Sequence, residues 1–223
     1  MKITAIRQPF DSAQGGRGQK KKITFIRPQV KNPERVSVFL DGNYSFSLSL
    51  DELLKEKLKN GDELDVVAEK RLKKISADGK LRARTLEWLL NRPHSTRELR
   101  DYLYRKKAEP EMMDTLIKEF SDKGYLDDRK FGQWLAELQK RRGKSNRAIR
   151  AELFKKGIGR ELVDEVLQSG EDDEAARLKM LIAKKQKLTR YKNDPQKLVK
   201  YLTSQGFSWN LIKERLAKNN LEE

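Results

Sequence analysis

The chain of 223 residues contains no cysteine and a single histidine, His94. Without cysteine there is no disulfide, no thiolate nucleophile, no thiolate zinc site and no iron–sulfur ligation. One imidazole leaves the usual general-base and metal-ligand sets almost empty, so neither catalysis nor a cofactor is expected. No stretch approaches the roughly 20 apolar residues that a membrane-spanning helix needs. No secretory apolar segment follows Met1, and the chain is expected to be cytoplasmic, monomeric and without a membrane partner. Apolar residues are also scarce, at 36% against 38% charged. That balance would suit disorder if the apolar residues lacked periodicity, but they recur at helical spacing.

What the chain has in excess is positive charge, with 50 Lys and Arg against 34 Asp and Glu and a net +16. The excess is unevenly placed. Residues 1–22 carry +5, 23–128 only +1, 129–160 +9, 161–175 −7 and 176–200 +8, while 201–223 balance. Two segments near +8 or +9 on either side of an acidic stretch point to an acidic partner. Nucleic acid phosphates and an acidic protein groove both fit, and charge alone does not separate them.

Residues 1–22 open with a candidate strand at 3–6. They pass through Gly15, Gly16, Arg17 and Gly18 into Lys20-Lys21-Lys22, the composition of a basic arm. Residues 23–78 read as a small β-rich region with a short helix. Strands are expected at 23–26 and in a hairpin, 36–40 and 44–48, around Asp41-Gly42-Asn43. A helix opening at Asp51 and ending at Asn60-Gly61, then a strand at 64–67, complete that region.

Beyond residue 78 the sequence is helical and repeats. Ser95, Leu99, Leu103, Met113 and Ile117 recur 50 residues later as Ser145, Ile149, Leu153, Val163 and Leu167. Leu198, Leu202, Ile212 and Leu216 follow after a further 49. Such self-similarity predicts tandem three-helix units at 79–126, 127–170 and 171–223, forming an elongated, mainly α molecule. Ser95-Thr96-Arg97-Glu98 has the form of a capping box. Pro110 and Asp194-Pro195 suit first helical turns, and Gly124, Gly157, Gly170 and Gly206 fall where helices should stop. Lys107 occupies the turn that Gly157 and Gly206 hold in the later copies.

Several motifs have a plainer reading than their chemistry suggests. Gly143-Lys144-Ser145 resembles the tail of a phosphate loop, but Leu138 stands where the leading glycine belongs and the context is helical. Asp127-Asp128 and Glu171-Asp172-Asp173-Glu174 sit where first helices start, so helix capping is favoured over a cation site. Trp88, Trp134 and Trp209 occur once per unit beside aliphatic neighbours and are expected to fill cores. The basic residues carry more information. Lys140, Arg141, Arg142, Lys144, Arg147, Arg150, Lys155 and Lys156 belong to the second unit, and Lys184, Lys185, Lys187 and Arg190 to the third. Arg147 and Arg150 are three apart opposite Ile149 and Leu153, so both should face solvent.

Certain stretches resemble the RecX regulatory proteins of bacteria. They are Ile23-Thr24 with Arg35-Val36-Ser37-Val38-Phe39-Leu40-Asp41-Gly42, then Ser95-Thr96-Arg97-Glu98-Leu99, then Gly124-Tyr125-Leu126-Asp127-Asp128 with Phe131. Ile149, Leu153 and Lys156-Gly157-Ile158, and Tyr201-Leu202 with Gly206-Phe207-Ser208, continue it across about 23–220. The resemblance implies a non-enzymatic modulator that binds the RecA filament on single-stranded DNA and limits its growth, ATPase, recombinase and co-protease activities. It carries no catalytic motif, so the twelve basic residues above are the candidate contacts to RecA or to DNA directly. The alternative is a stand-alone DNA-binding regulator built from helix-turn-helix-like units.

Overall fold

The computed structural model describes residues 20–168 and 174–219. The candidate strand at 3–6, all of the arm but its last three lysines, Gly170, and the acidic residues Glu171, Asp172 and Asp173 lie outside the described residues. The chain divides into two compact units, Met1–Ala83 and Arg84–Glu223.

In the first unit, β1 (Lys21–Gln29), β2 (Asn32–Leu40), β3 (Asn43–Ser49) and the two-residue β4 (Glu63–Leu64) form an antiparallel sheet in the order β3-β2-β1-β4. The expected hairpin turns at Asp41 and Gly42, both at positive φ (48° and 83°), a pairing that matches the right-handed twist of the strands. Period-two alternation sends Ile23, Val36, Val38, Leu40, Phe46 and Leu48 to one face, where Leu72 of α2 (Val66–Leu90) packs on them.

Two expectations fail here for local reasons. The helix after β3, α1 (Leu50–Glu56), is started by Ser49, which forms a full capping box with Glu52, and stops at Lys57 in the left-handed conformation, before Asn60-Gly61. The strand expected at 64–67 ends at Leu64. Asp65 accepts a hydrogen bond from the Ala68 amide at 2.7 Å, and this cap turns the β-branched pair Val66-Val67 into the first turn of α2. Gly79 lets α1 approach, since a Cβ there would lie 2.1 Å from the Glu52 carboxylate.

The second unit is helical and contains three repeats. The first is the Arg84–Leu90 portion of α2 with α3 (Thr96–Arg105) and α4 (Pro110–Asp122). The second is α5 (Asp128–Arg141), α6 (Asn146–Lys155) and α7 (Arg160–Gln168). The third is α8 (Glu174–Gln186), α10 (Pro195–Ser204) and α11 (Trp209–Asn219), with a single-turn α9 (Thr189–Lys192) between α8 and α10 that places Tyr191 in the core. The apolar stripes close on themselves: Phe131, Leu135, Ile149, Leu153 and Val163 in the second repeat, Leu178, Ile182, Leu198, Leu202 and Ile212 in the third.

The repeats are joined by one device used twice. Ser95 caps α3 through the Glu98 amide, and its hydroxyl donates to the Lys156 carbonyl of the second repeat at 2.8 Å. Ser145 caps α6 through the Ala148 amide, and its own amide donates to the Gln205 carbonyl of the third repeat at 3.0 Å. The next residue is bonded across as well, Thr96 N–H to Asp128 at 2.7 Å and Asn146 N–H to Glu174 at 2.8 Å. The acidic residues at the helix starts thus cap a helix of the preceding repeat, and Asp127 caps its own.

Close approach explains the glycines in the accepting turns. A Cβ on Gly157 would lie 2.8 Å from the Arg97 Cβ, and one on Gly206 2.3 Å from the Ser145 hydroxyl, both at positive φ. Lys107, at φ 58°, holds the matching turn of the first repeat, which has no earlier repeat to receive. Gly157→Ala should therefore lower stability by at least about 1–2 kcal/mol in urea unfolding, from the left-handed penalty alone. Lys107→Gly should not lower it.

Candidate functional site

The junction between the second and third repeats gathers the basic residues. The last turn of α5 supplies Lys140, Arg141 and Arg142, and α8 supplies Arg177, Lys184 and Lys185. They line a cleft of about 800 Å³ together with Met180, Leu181 and Tyr201, with Glu137 as the one lining carboxylate among the described residues. Six cations against one carboxylate in a concave, partly apolar site concentrate positive potential there.

Arg177 builds this cleft, although in the sequence it lies outside the dense basic runs, with only Lys179 close by. It is 9% exposed, and its guanidinium donates to the Lys144 carbonyl at 3.1 Å and the Asn146 side chain at 2.9 Å. Burial pulls its pKa below the ordinary value, and the Glu137 carboxylate opposes that. Gly143, at φ 76°, turns the chain between α5 and α6, and a Cβ there would press Leu181 at 3.1 Å. The Gly143-Lys144-Ser145 motif is thus a helix break with a serine cap, buttressed by Arg177.

The twelve candidate residues separate into groups. Lys140 is buried beside Glu137, at 3.1 Å, and Lys185 lies over the Tyr201 ring at 4.7 Å. Arg141, Arg142 and Lys184 are exposed at the cleft. Arg142 also borders a second hollow with Lys144 and Lys155, on the α5–α6 side. Arg147 and Lys187 are exposed, and Arg190 stacks on Tyr191 at 4.6 Å.

Two candidates have other partners. Arg150 does not face solvent with Arg147. It is half-buried and pairs with Asp164 on α7, as Arg100 pairs with Asp114 at 3.2 Å in the first repeat. Lys156 reaches Glu98 at 2.7 Å across the first junction. Both positions pin helices together. Of the tryptophans, Trp134 joins the second core and Trp88 stacks on Tyr102. Trp209 is 59% exposed at the start of α11 and does not fill a core.

The first junction holds a polar cluster under Trp88. His94 is 4% exposed, lies 3.5 Å from the Trp88 ring, and has Glu98 and the Trp88 carbonyl at 3.1 Å from its two ring nitrogens. Burial, with Arg92 nearby, lowers its pKa, against the opposing pull of Glu98 and the Trp88 carbonyl. Burial alone would raise the Glu98 pKa, but hydrogen bonds from Arg92 and Lys156 outweigh it and hold the carboxyl at about 2. Those bonds occupy the Glu98 carboxylate, so Ser95 makes its half of the capping box and Glu98 does not return the other.

Comparison with known proteins decides the family. Residues 21–65 match the family model described as the regulatory protein RecX N-terminal domain, and 127–167 that of the RecX second three-helix domain. The regulatory protein RecX of Bacillus subtilis (strain 168) is 33% identical over 195 residues, covering 85% of this chain and 74% of that protein. The one from Bacillus licheniformis is 32% identical over 208 residues, covering 90% and 78%. The chain belongs to the RecX family of regulatory proteins. A solved structure of a regulatory protein RecX superposes with a TM-score of 0.65 at 26% identity, covering 87% of this chain and 99% of that one. RecX from Lactobacillus salivarius shares the fold at 18% identity, with a TM-score of 0.54 over 65% of this chain and 97% of its own. Among the described residues, no helix is long and apolar enough to cross a membrane.

The Glu98 pKa has a consequence for stability. Because the folded value lies below the ordinary 4.5, the stabilisation is complete above about pH 4.5 and is lost as pH falls toward 2. All three tryptophans belong to the second unit, so tryptophan fluorescence during urea unfolding follows that unit. Glu98→Gln should cost about 1–3 kcal/mol at pH 7 and flatten the loss of stability between pH 5 and 3.

Proposed function

We propose that this RecX-family protein is a non-enzymatic, negative modulator of RecA that binds the RecA filament on single-stranded DNA. Contact is made through the basic cleft between the second and third helical repeats. The observation that carries the reading is the convergence of Arg141, Arg142, Lys184 and Lys185 on one concave surface, from segments about 40 residues apart in sequence. Tandem repeats joined by hydrogen-bonded junctions present such a surface with little conformational freedom to lose on binding. A filament is a repeating polyanion sheathed in protein. A cleft lined by guanidinium and ammonium groups together with the apolar Met180, Leu181 and Tyr201 is equipped for both components.

Binding there limits filament growth and, with it, ATPase, recombinase and co-protease activities. The protein acts in the cytoplasm as a monomer and needs no cofactor. Arg141, Arg142 and Lys184 are the residues to reverse, because they are exposed and the fold does not lean on them as it does on Arg150, Lys156 and Arg177.

The test is the ATPase of RecA on single-stranded DNA. The wild-type protein should suppress it, and the Arg141→Glu, Arg142→Glu, Lys184→Glu triple variant should lose at least about tenfold in potency, a factor worth 1.4 kcal/mol. Its helical circular dichroism should be unchanged. Suppression that survives all three reversals would remove the cleft from the account, and protection of a defined DNA sequence without RecA would favour a stand-alone DNA reader. Phosphate contacts also carry a salt signature. Affinity for bare DNA should fall steeply between about 50 and 200 mM salt, and a flat response would exclude phosphate neutralisation.

A further inference from the structure

The N-terminal sheet has a second face, part of which is open to water. Its inner face is sealed, with Ile23, Val38 and Leu48 at 1% exposure or less. On the outer face three aromatic rings form a row across three strands: Phe25 on β1, Phe39 on β2 and Tyr44 on β3. Phe25 and Phe39 meet edge to face at 6.4 Å, and Phe39 and Tyr44 at 6.0 Å. Phe25 is 45% exposed and Tyr44 53%.

Arg27, two residues beyond Phe25 on the same face, lays its guanidinium 4.5 Å from the Phe25 ring centre and 5.9 Å from that of Phe39. Among the described residues it pairs with no carboxylate. Its cross-strand neighbour Ser37 is uncharged, and Arg35, also on this face, donates to Ser47. No acidic side chain occupies the positions of β1, β2 and β3 that share this face.

Cross-strand ring pairs by themselves stabilise a sheet by about 0.2–1 kcal/mol each, which accounts for neighbouring aromatics. It does not account for a cation laid over the rings with no carboxylate partner among the described residues, or for rings left half in water. Exposed aromatics on a sheet, beside an arginine whose N–H groups have no partner among the described residues, are what unpaired bases and their phosphates require. Bases stack on ring and guanidinium planes without regard to sequence, and sheets of this width hold two or three of them. We propose that this outer face is a stacking platform for single-stranded nucleic acid. Tyr44 and the Arg27-covered Phe25 contact bases, and the edge of the Arg27 guanidinium takes a phosphate.

This site is separate from the cleft of the helical repeats, and its test contains no RecA. The full-length protein is titrated into a fluorescein-labelled oligothymidine and into an abasic deoxyribose-phosphate strand of the same length, with anisotropy as readout. The wild type should bind oligothymidine at least about tenfold more tightly, since stacking is worth about 1–3 kcal/mol per base. Phe25→Ala with Tyr44→Ala should remove that preference and leave abasic binding unchanged, whereas Phe25→Tyr with Tyr44→Phe should keep it. The cleft triple variant should bind both strands more weakly and retain the preference, so failure of one proposal is distinguishable from failure of the other. Equal wild-type binding to the two strands would overturn the platform, as would an unaltered preference in the double alanine variant. So would a double alanine variant that binds oligothymidine normally yet loses association with RecA filaments, which would make the face a protein contact.

Discussion

The helical unit depends on a serine at the start of the middle helix of one repeat bonding to the turn that ends the middle helix of the next. Ser95 and Ser145 are buried, each satisfies an amide of its own helix, and each also reaches a backbone carbonyl one repeat away. A buried polar group without a partner is costly, so a junction that slipped would lose the serine's bond across it and that of Asp128 or Glu174 beside it. The glycines of the accepting turns allow the approach, and register follows from that contact. The basic cleft depends on it in turn, because the end of α5 and the face of α8 meet through Arg177 bonding to the same turn that presents Ser145.

The constraint also separates charges that look alike in sequence. Twelve basic residues fall in two runs, and their density suggests a common purpose. The structure gives Lys156 to Glu98 and Arg150 to Asp164, and buries Lys140 against Glu137. What remains outward around the cleft is a smaller set, led by Arg141, Arg142 and Lys184. Arg177 stands outside the dense basic runs, yet it holds the two sides together. Surface charge supplies the partner's chemistry, and buried charge sets the geometry in which it is offered.

Much of this was legible in the sequence wherever a local signal and a long-range one agreed. The fifty-residue offset located the repeats, the Asp41-Gly42 pair located the hairpin, and the caps at Ser95, Ser145 and Asp194 located the middle helices. The failures came where a tertiary partner decided. Val66-Val67 has β-branched chemistry but is taken into a helix by the Asp65 cap. Glu98 has the spacing of a capping box but is claimed by Arg92 and Lys156. Trp209 has the company of a core residue but lies at a helix start, open to water. The aromatic row of the sheet was hidden because Phe25, Phe39 and Tyr44 become neighbours through strand register, which alternation alone does not specify.

The measurement that bears most directly on the account is hydrogen–deuterium exchange of the full-length protein with and without RecA filaments on single-stranded DNA. Filaments should slow amide exchange across residues 139–144 and 177–188, the two walls of the cleft, while the buried cores of the repeats are unaffected. Unchanged exchange in both of those segments, under conditions where the protein suppresses RecA ATPase, would contradict it.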